Sequence, residues 1–488
     1  MRRIYLVGCL LFVVSCVIGC GVPVRPSEEV PSGGPALQTS HFKLDTSSEP
    51  PHGVATNGFV VGACTHFSQG KGVLDLNLDR IKRAGISSIR DEVGWGAIER
   101  EKGQLVMPEQ FDTYVRKAAD QGVKVLLILD YANRFYDDGD RPRSPEAIEG
   151  FCRYAEFVVK HFGKQVRLYE IWNEWDISIG MPAKYRQGGS AEDYVKLLKA
   201  VYPRIKAVGP GVTVMAGACT SGGVKKGWLE GIVKLGALDA CDAISIHSYN
   251  YSDKFPQRGP EACSAWMTGV QEMLRKYKGS DVPFYVTEMG WPTHVGKNGT
   301  DPELAGSYLA RLYLLARTSP SFRGIWWYDF QDDGWQAEYN EDNFGLVRPD
   351  LTPKPAYEVL ADVAPVVAQG QYVERLPTKD ENLWVLRFKV GREDCWALWS
   401  ADDQDRQVIL ETKSPAQPLT IRQTGHDAYL TQWGFRDWTS RGRELIPNRL
   451  SVVAGARPCL IGNDLSGVSL VEVIARARQI PAAPGESR

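Results

Sequence analysis

The chain has 488 residues, of which 43% are hydrophobic and 24% are charged, an ordinary composition for a globular protein that excludes intrinsic disorder as the default. Its formal net charge of −2 provides no overall positive field for nucleic acid, so we expect no nucleic acid among its partners.

The N-terminal segment indicates export. Two early arginines precede an apolar stretch over 4–19 that is too short for a comfortable membrane span and is typical of a secretory signal. The stretch ends in Val-Ile-Gly-Cys, which resembles a bacterial lipobox and would make Cys20 the lipid-modified first residue of the mature protein. Val-Val-Ser-Cys, ending at Cys16, is a second and weaker lipobox candidate, and an ordinary signal that happens to contain cysteines is the other alternative. We predict a lipoprotein signal peptide over 1–20 and, because Gly21 follows the cysteine, delivery to the outer membrane, on its periplasmic or cell-surface face.

Residues 21–56 are rich in Pro, Ser, Gly and Thr and show no apolar period, which predicts a flexible tether. From residue 57 the chain repeats one pattern, a short apolar run followed by an amphipathic helical stretch. The predicted strands are 59–64, 86–90, 123–130, 166–173, 212–218, 242–247, 284–288 and 324–329. The predicted helices are 74–84, 108–121, 145–161, 191–207, 227–235, 261–277, 302–316 and 354–360.

Eight strand–helix units over 57–361 predict an α/β fold of the (β/α)₈ barrel type, a TIM barrel. An open, doubly wound sheet is the alternative, but the turn after the first strand lacks the G-x-G-x-x-G spacing of such folds.

The pattern changes after residue 366, where short alternating runs are separated by turn residues. The runs are 383–390, 395–400, 407–411, 418–422 and 450–460. They predict a small β-sandwich over 366–475. Tryptophans in this region leave open whether the domain binds glycan or braces the barrel, and bracing is the favoured interpretation.

Two carboxylates stand where apolar strands end. Glu174 follows the fourth predicted strand and Glu288 ends the seventh, so both are expected at the C-terminal mouth of the barrel, where such enzymes keep their active sites. Glycoside hydrolysis with retention needs two carboxyl groups roughly 5–5.5 Å apart, one as acid and base and the other as nucleophile. We assign these roles to Glu174 and Glu288 respectively.

Asn173-Glu174 after strand four, together with Thr-Glu-Met-Gly-Trp at 287–291, resembles the pattern of glycoside hydrolase clan A. The resemblance covers roughly 57–361. It implies that Arg90 keeps the nucleophile ionised, that Tyr249 donates to it, and that Trp327 forms the floor beneath the scissile sugar.

Within the clan, Ile-Trp-Asn-Glu-Trp-Asp at 171–176 is similar to family 39, as are the closing stretches at 342–347 and 353–357. Together with the appended sandwich and the tether, these features look most like bacterial exopolysaccharide endoglycosidases of the PslG type.

The expected function is therefore a retaining hydrolase of a β-linked poly- or oligosaccharide, with endo action as the favoured form. An exo-acting β-glycosidase, such as a β-xylosidase, and a non-catalytic polysaccharide-binding scaffold are the alternatives. Further substrate-binding or supporting residues are expected at Asn173, His247, His66 and Trp291. No metal or other cofactor is expected, because the histidines show no ligand spacing. The partners are expected to be glycan and membrane, with the protein a monomer.

Overall fold

In the computed structural model of this chain, eight parallel strands pair in chain order and close into a barrel, which confirms the predicted fold. The structure describes residues 58–413, 419–425, 433–439, 442–463 and 465–475. The barrel strands are Val60–Cys64 (β1), Ser88–Glu92 (β2), Lys124–Leu129 (β3), Leu168–Ile171 (β4), Thr213–Thr220 (β5), Ala243–His247 (β6), Phe284–Met289 (β7) and Phe322–Trp327 (β8).

Helices connect the strands and cover the outside of the barrel. They are Leu74–Arg83 (α1), Trp95–Ile98 (α2), Glu109–Asp120 (α3), Pro145–Phe162 (α4), Ala191–Val208 (α5), Ser221–Lys225 (α6), Trp228–Lys234 (α7), Pro260–Lys278 (α8), Pro302–Ala316 (α9) and Pro355–Gln369 (α10). Serine hydroxyls cap two of the longest, since Ser144 accepts from the Ala147 N–H and Ser190 from the Asp193 N–H.

The barrel interior is filled by side chains rather than open. Trp326 is fully buried there, and its indole N–H donates to the Ser88 hydroxyl over 3.2 Å. A Cβ at Gly62 would lie 2.4 Å from the Trp326 ring, so only glycine allows this packing. The packed interior leaves the C-terminal mouth of the barrel as the place for polar chemistry.

The C-terminal region forms two antiparallel sheets, as the sequence predicted. The strands are Gln371–Arg375 (β9), Leu383–Val390 (β10), Glu393–Ser400 (β11), Arg406–Glu411 (β12), Leu419–Gln423 (β13), Trp433–Thr439 (β14), Gly442–Ala454 (β15), Cys459–Asn463 (β16) and Ser469–Ala475 (β17). One sheet has the order β13-β16-β11-β10-β9, and the other has the order β14-β15-β12-β17.

The boundary between barrel and sandwich differs from the prediction. Helix α10 continues to Gln369, whereas the sequence placed its end at 360 and the start of the sandwich at 366. Val363, Val366 and Val367 are fully buried along this helix, so the apolar run read as the start of a new domain is the packed face of a longer helix. The predicted run 450–460 is likewise divided between β15 and β16.

The predicted signal peptide and tether, including Cys20, lie outside the described residues. In the part of the chain that the structure describes, no helix combines the length and apolarity needed to cross a bilayer.

A buried arginine connects the barrel to the sandwich. The side chain of Arg311 on α9 is fully buried, and its guanidinium donates to both oxygens of Glu261 on α8, over 2.8 and 2.5 Å. Its Nη1 also donates to Asp403, in the turn after β11, over 2.6 Å. The indole N–H of Trp399 in β11 donates to the same Glu261 over 2.7 Å, so one ion-pair network joins two barrel helices and the sandwich.

We expect Arg311→Met to lower the free energy of unfolding by about 3–5 kcal/mol, because it removes a fully buried cation and leaves the partly buried carboxylates of Glu261 and Asp403 without it. Urea unfolding followed by circular dichroism measures the change. Arg116→Met is the matched control, since Arg116 is 50% exposed in its pair with Asp112. It should cost no more than about 1 kcal/mol. Equal losses in the two variants would contradict the bridging role of Arg311.

Candidate active site

The C-terminal ends of the barrel strands surround a cavity of about 370 Å³. Six of the residues predicted for the site line it: His66, Arg90, Asn173, Glu174, Tyr249 and Glu288. They come from the ends of β1, β2, β4, β6 and β7, or from the residues that directly follow these strands. The closed barrel therefore brings together side chains that are up to 222 residues apart in sequence, from His66 to Glu288.

The backbone after β4 turns sharply to present Glu174. Trp172 and Glu174 have φ angles of +68° and +48°, in the left-handed region that residues with a Cβ rarely adopt. The Glu174 N–H donates to the Ala218 carbonyl at the end of β5 over 2.9 Å, and the Trp172 ring is buried against Phe151 and Trp175. These contacts hold a costly conformation in place, which is typical of functional positions.

Glu288 on β7 is 8% exposed and receives two strong hydrogen bonds. Arg90 Nη1 donates to its Oε1 over 2.6 Å, and the Tyr249 hydroxyl donates to its Oε2 over 3.0 Å. Both partners stabilise the ionised carboxylate, which is the form that a nucleophile requires.

His247 lies below the cavity between the two glutamates. It is fully buried, and its Nδ1 is 2.8 Å from Glu174 Oε1 and 3.4 Å from Glu288 Oε2. One oxygen of Glu174 and one of Glu288 lie within 4.8 Å of each other. An approach this close agrees with the retaining geometry, in which the two carboxyl groups are roughly 5–5.5 Å apart.

The surroundings move the pKa values of the two glutamates in opposite directions. Burial raises the pKa of Glu174 above its ordinary value, and the charge of Glu288 raises it further. The hydrogen bond with His247 and the charge of that residue lower the pKa but do not offset the rise. Burial would also raise the pKa of Glu288, but His247, Arg90 and the Tyr249 hydroxyl together lower it. At neutral pH the arrangement therefore favours a proton on Glu174 and a charge on Glu288.

Arg90 is itself held by a second carboxylate. Its Nε and Nη2 approach Glu170 Oε2 on β4 at 2.8 and 2.7 Å, and Glu170 is fully buried. Burial would lower the pKa of Arg90, but Glu170 and Glu288 raise it well above its ordinary value, so the guanidinium stays charged. Sequence reasoning missed Glu170, although its place four residues before Glu174, near the end of buried strand β4, was a usable signal.

Asn173 is held by two neighbours at the edge of the cavity. Its Oδ1 accepts from Arg90 Nη2 over 2.9 Å, and its Nδ2 donates to the Tyr131 hydroxyl over 2.8 Å. An amide nitrogen has two protons, so one donor remains for a ligand.

The structure corrects the placement of two tryptophans. Trp327 is 1% exposed and does not line the cavity; its indole N–H donates to the Phe344 carbonyl over 3.0 Å, and its ring packs against Trp291. Trp291 is equally buried, and its N–H donates to the Arg258 carbonyl. Because side chains alternate along β8, Trp326 points into the barrel and Trp327 outward, so the next inward residue, Tyr328, lines the cavity.

Other cavity residues carry no motif that the sequence analysis could use. Glu92 and Glu341 line the walls, and burial raises the pKa of each. Tyr131 and Tyr251 contribute rings and hydroxyls at the same cavity. Only their positions mark them, Glu92 at the end of β2 and the others after β3, β6 and β8, and many other residues share such positions.

Two groups among the described residues bring three potential metal-ligating atoms within 4.8 Å of one another. One consists of Glu174, His247 and Glu288, and the other of His66, Asp329 and Asp333. In each group the imidazole Nδ1 already lies at hydrogen-bond distance from a carboxylate oxygen, so a shared proton accounts for the close approach.

No protein-family model and no curated protein matches the chain. Among solved structures, it is similar to a family 39 glycoside hydrolase from the gut symbiont Bacteroides cellulosilyticus WH2, with 25% identity, a TM-score of 0.67, and coverage of 84% of this chain and 82% of that one. A GH39 β-xylosidase from Caulobacter crescentus shares the fold at 13% identity and a TM-score of 0.55, over 83% of this chain and 95% of that one. So does the GH39 enzyme from Xanthomonas axonopodis pv. citri, at 12% identity and a TM-score of 0.54, over 85% and 95%.

These structural neighbours are glycoside hydrolases of clan A, which act by retaining double displacement. The resemblance to clan A and to family 39 predicted from the sequence is confirmed, whereas the finer resemblance to the PslG type stays a prediction.

We expect Glu170→Gln to move the acidic limb of the pH–activity profile to lower pH by roughly 0.5–1 unit. Without the Glu170 charge, the positive field of Arg90 acts on Glu288 alone and lowers its pKa further. The measurement is kcat/KM against pH on an activated aryl glycoside.

Glu99→Gln is the matched control, because Glu99 is also buried, at 2% exposure, but accepts hydrogen bonds from Trp95 and Tyr136 and does not line the cavity. It should leave the acidic limb in place. A Glu170→Gln profile that stays unchanged or shifts to higher pH would disprove the coupling through Arg90.

Proposed function

We propose that this protein hydrolyses a β-linked poly- or oligosaccharide by retaining double displacement, with Glu174 as acid and base and Glu288 as nucleophile. The observation that carries the proposal is the pair of glutamates at the barrel mouth, with oxygens within 4.8 Å of each other and pKa values moved in opposite directions.

In the first step, protonated Glu174 donates its proton to the glycosidic oxygen while a Glu288 oxygen attacks the anomeric carbon. The bond from the anomeric carbon to the leaving oxygen breaks, and an ester to Glu288 forms. Arg90 and Tyr249 keep Glu288 ionised before the attack, through the hydrogen bonds over 2.6 and 3.0 Å. His247, at 2.8 Å from Glu174, fixes the orientation of the acid.

In the second step, the ionised Glu174 takes a proton from a water molecule, and the resulting nucleophile attacks the anomeric carbon and displaces Glu288. Two inversions at one carbon give retention. The free N–H of Asn173 is placed to donate to the 2-hydroxyl of the sugar, a contact that strengthens in the transition state.

We further propose endo action on a bacterial exopolysaccharide, as in the PslG type. Support comes from the closing stretches at 342–347 and 353–357 and from the appended sandwich. An exo-acting β-glycosidase remains the second candidate, since one neighbour that shares the fold is described as a β-xylosidase. Product analysis separates them, because an endo enzyme releases oligosaccharides early and an exo enzyme releases small units from chain ends.

We expect Glu288→Ala to abolish turnover of every substrate, because the proposed mechanism passes through the ester to Glu288 whatever the leaving group. Glu174→Ala should lose most activity on natural glycans but keep much more on aryl glycosides with good leaving groups, which need no proton. Azide should then raise its rate, since azide attacks without a base and yields the β-glycosyl azide. Initial rates and product NMR measure both effects.

Glu92→Ala is the control, because Glu92 lines the same cavity without lying between the glutamates. It should show no preference for activated leaving groups and no azide rescue. If Glu174→Ala were equally inactive on both substrate types and azide had no effect, another residue would have to be the acid.

We also propose that the protein is an outer-membrane lipoprotein attached through Cys20, supported by the lipobox-like ending of the apolar stretch. The Cys20→Ser variant should lose lipid labelling and leave the membrane fraction, because each buried lipid CH₂ contributes about 0.8 kcal/mol to attachment. Fractionation with palmitate labelling measures this, and Cys16→Ser, in the same stretch, is the matched control. Labelling that survives Cys20→Ser would rule out this attachment site.

A further inference from the structure

The end of the barrel opposite the catalytic cavity carries its charge unevenly. The N-terminal ends of the parallel strands meet there, and segments from the preceding helices enter seven of them. The segments that enter β8, β2, β3 and β4 together hold six basic residues and one acidic residue, over 316–323, 83–89, 120–125 and 162–169. Those that enter β5, β6 and β7 hold two basic and three acidic residues, over 208–214, 234–244 and 278–285. Positive charge is therefore concentrated on one side of this end.

The six basic residues, which we name the basic rim, are Arg83, Lys124, Lys164, Arg167, Arg317 and Arg323. Arg83 lies 2.8 Å from Asp79, and both side chains are more than half exposed. None of the other five makes an ion pair with an acid among the described residues. The two lysines on the opposite side are both paired, since Lys234 lies 3.2 Å from Glu230 and Lys278 lies 3.3 Å from Asp239. The positive charge of the rim is therefore not neutralised within the barrel.

Two arginines of the rim stand close enough to repel each other. Burial and the charge of Arg323 both lower the pKa of Arg317. The Nε of Arg317 is buried and has no hydrogen-bond partner among the described residues. An anion at this position would offset the repulsion and accept from the unused donor, and a guanidinium binds phosphate particularly well.

Helix dipoles account for only part of the rim. Cations are favoured at helix C-termini, and Arg83 and Arg317 lie at the ends of α1 and α9. Lys124 instead begins β3, Arg167 directly precedes β4, and Arg323 is the second residue of β8. Lys124 and Arg167 are also exposed, so their charges are available to a partner outside the chain.

The chain enters the barrel in the middle of the rim. Strand β1 pairs with β8 on one side and with β2 on the other, and exposed Gly58 comes two residues before its start at Val60. Cys20, the proposed site of lipid attachment, precedes Gly58 by 38 residues. A span of that length reaches at most about 130 Å. The basic rim therefore surrounds the point at which a chain anchored at Cys20 joins the barrel.

We propose that the basic rim docks on the anionic phospholipid headgroups of the bilayer that holds the anchor, with its lysines and arginines on the lipid phosphates. Clusters of four to eight such residues are attracted to anionic bilayer surfaces. The catalytic cavity, at the other end of the strands, then opens away from the bilayer, toward glycan in the aqueous phase. The docking contact itself requires neither the lipid chains nor the hydrolytic reaction, so it stands or falls separately from both.

The experiment measures how full-length Cys20→Ser protein, which lacks the lipid attachment site, partitions onto two kinds of vesicle. One kind is phosphatidylcholine alone, and the other is an equimolar mixture with phosphatidylglycerol. The apolar stretch over 4–19 acts on both, so the ratio of the two partition coefficients isolates the effect of headgroup charge. We expect a ratio of about tenfold or more at low salt, falling as added salt screens the charges. Lys124→Gln and Lys164→Gln should each lower the ratio about fivefold.

Lys234→Gln and Lys278→Gln, made in the same Cys20→Ser background, are the matched controls. These lysines lie at the same end of the barrel and are 57% and 42% exposed, but outside the rim. They should leave the ratio unchanged. A ratio near one before any lysine is replaced, or equal losses from the rim and control substitutions, would overturn the inference. It would also be overturned if the rim lysines proved necessary for binding soluble alginate but not vesicles, because the rim would then be a site for an anionic glycan.

Discussion

The buried charge of Arg90 is the constraint on which the catalytic end of the barrel depends. A guanidinium that is 3% exposed is tolerated only when its hydrogen bonds are satisfied by anionic or polar partners. Arg90 finds them on two other strands, with Glu170 and Asn173 at β4 and Glu288 on β7. The contact that makes its burial tolerable is therefore the same contact that keeps Glu288, the proposed nucleophile, ionised.

The two glutamates show that the hydrogen-bonding partners of a carboxyl group, rather than its residue type, decide its protonation state. Both are largely buried, and burial alone would raise the pKa of each. Glu288 accepts hydrogen bonds from a guanidinium and a phenol. Among the described residues, the hydrogen-bond partner of the Glu174 side chain is the imidazole of His247, and the charge of Glu288 lies nearby. His247 contacts both, so a proton moved from Glu174 during the reaction changes the electrostatics at Glu288 through a residue that need not touch the substrate.

The polar residues at the C-terminal ends of the predicted strands made the central part of the site predictable from the sequence. The ends of parallel strands meet at one mouth, so Glu174, Glu288, Arg90 and Tyr249 could be brought together from the strand pattern and the clan resemblance. The sequence could not predict which side chains of β8 point into the barrel. Trp326 and Trp327 are both large and apolar, and only the packing shows which one fills the interior. Gly62 was a sequence feature that could have indicated which tryptophan fills the barrel, because a Cβ at this position would clash with the Trp326 ring. Among the described residues, the buried Oδ1 of Asp329 has no hydrogen-bond partner. The sequence could not predict this, because it depends on loop geometry that no strand pattern specifies.

The sandwich has a physical role that does not require it to touch glycan. Trp399 is fully buried and Trp396 nearly so, while Trp384 stacks on Trp399 at 5.7 Å, so these rings serve packing rather than sugar binding. The sandwich contacts the barrel through Glu261 on α8, which precedes β7, and through Arg311 on α9, which follows it. It therefore braces the sector that carries Glu288 and leads into β8 and its loop. A retaining geometry tolerates little displacement of the nucleophile, and a rigid neighbour behind that strand limits such displacement.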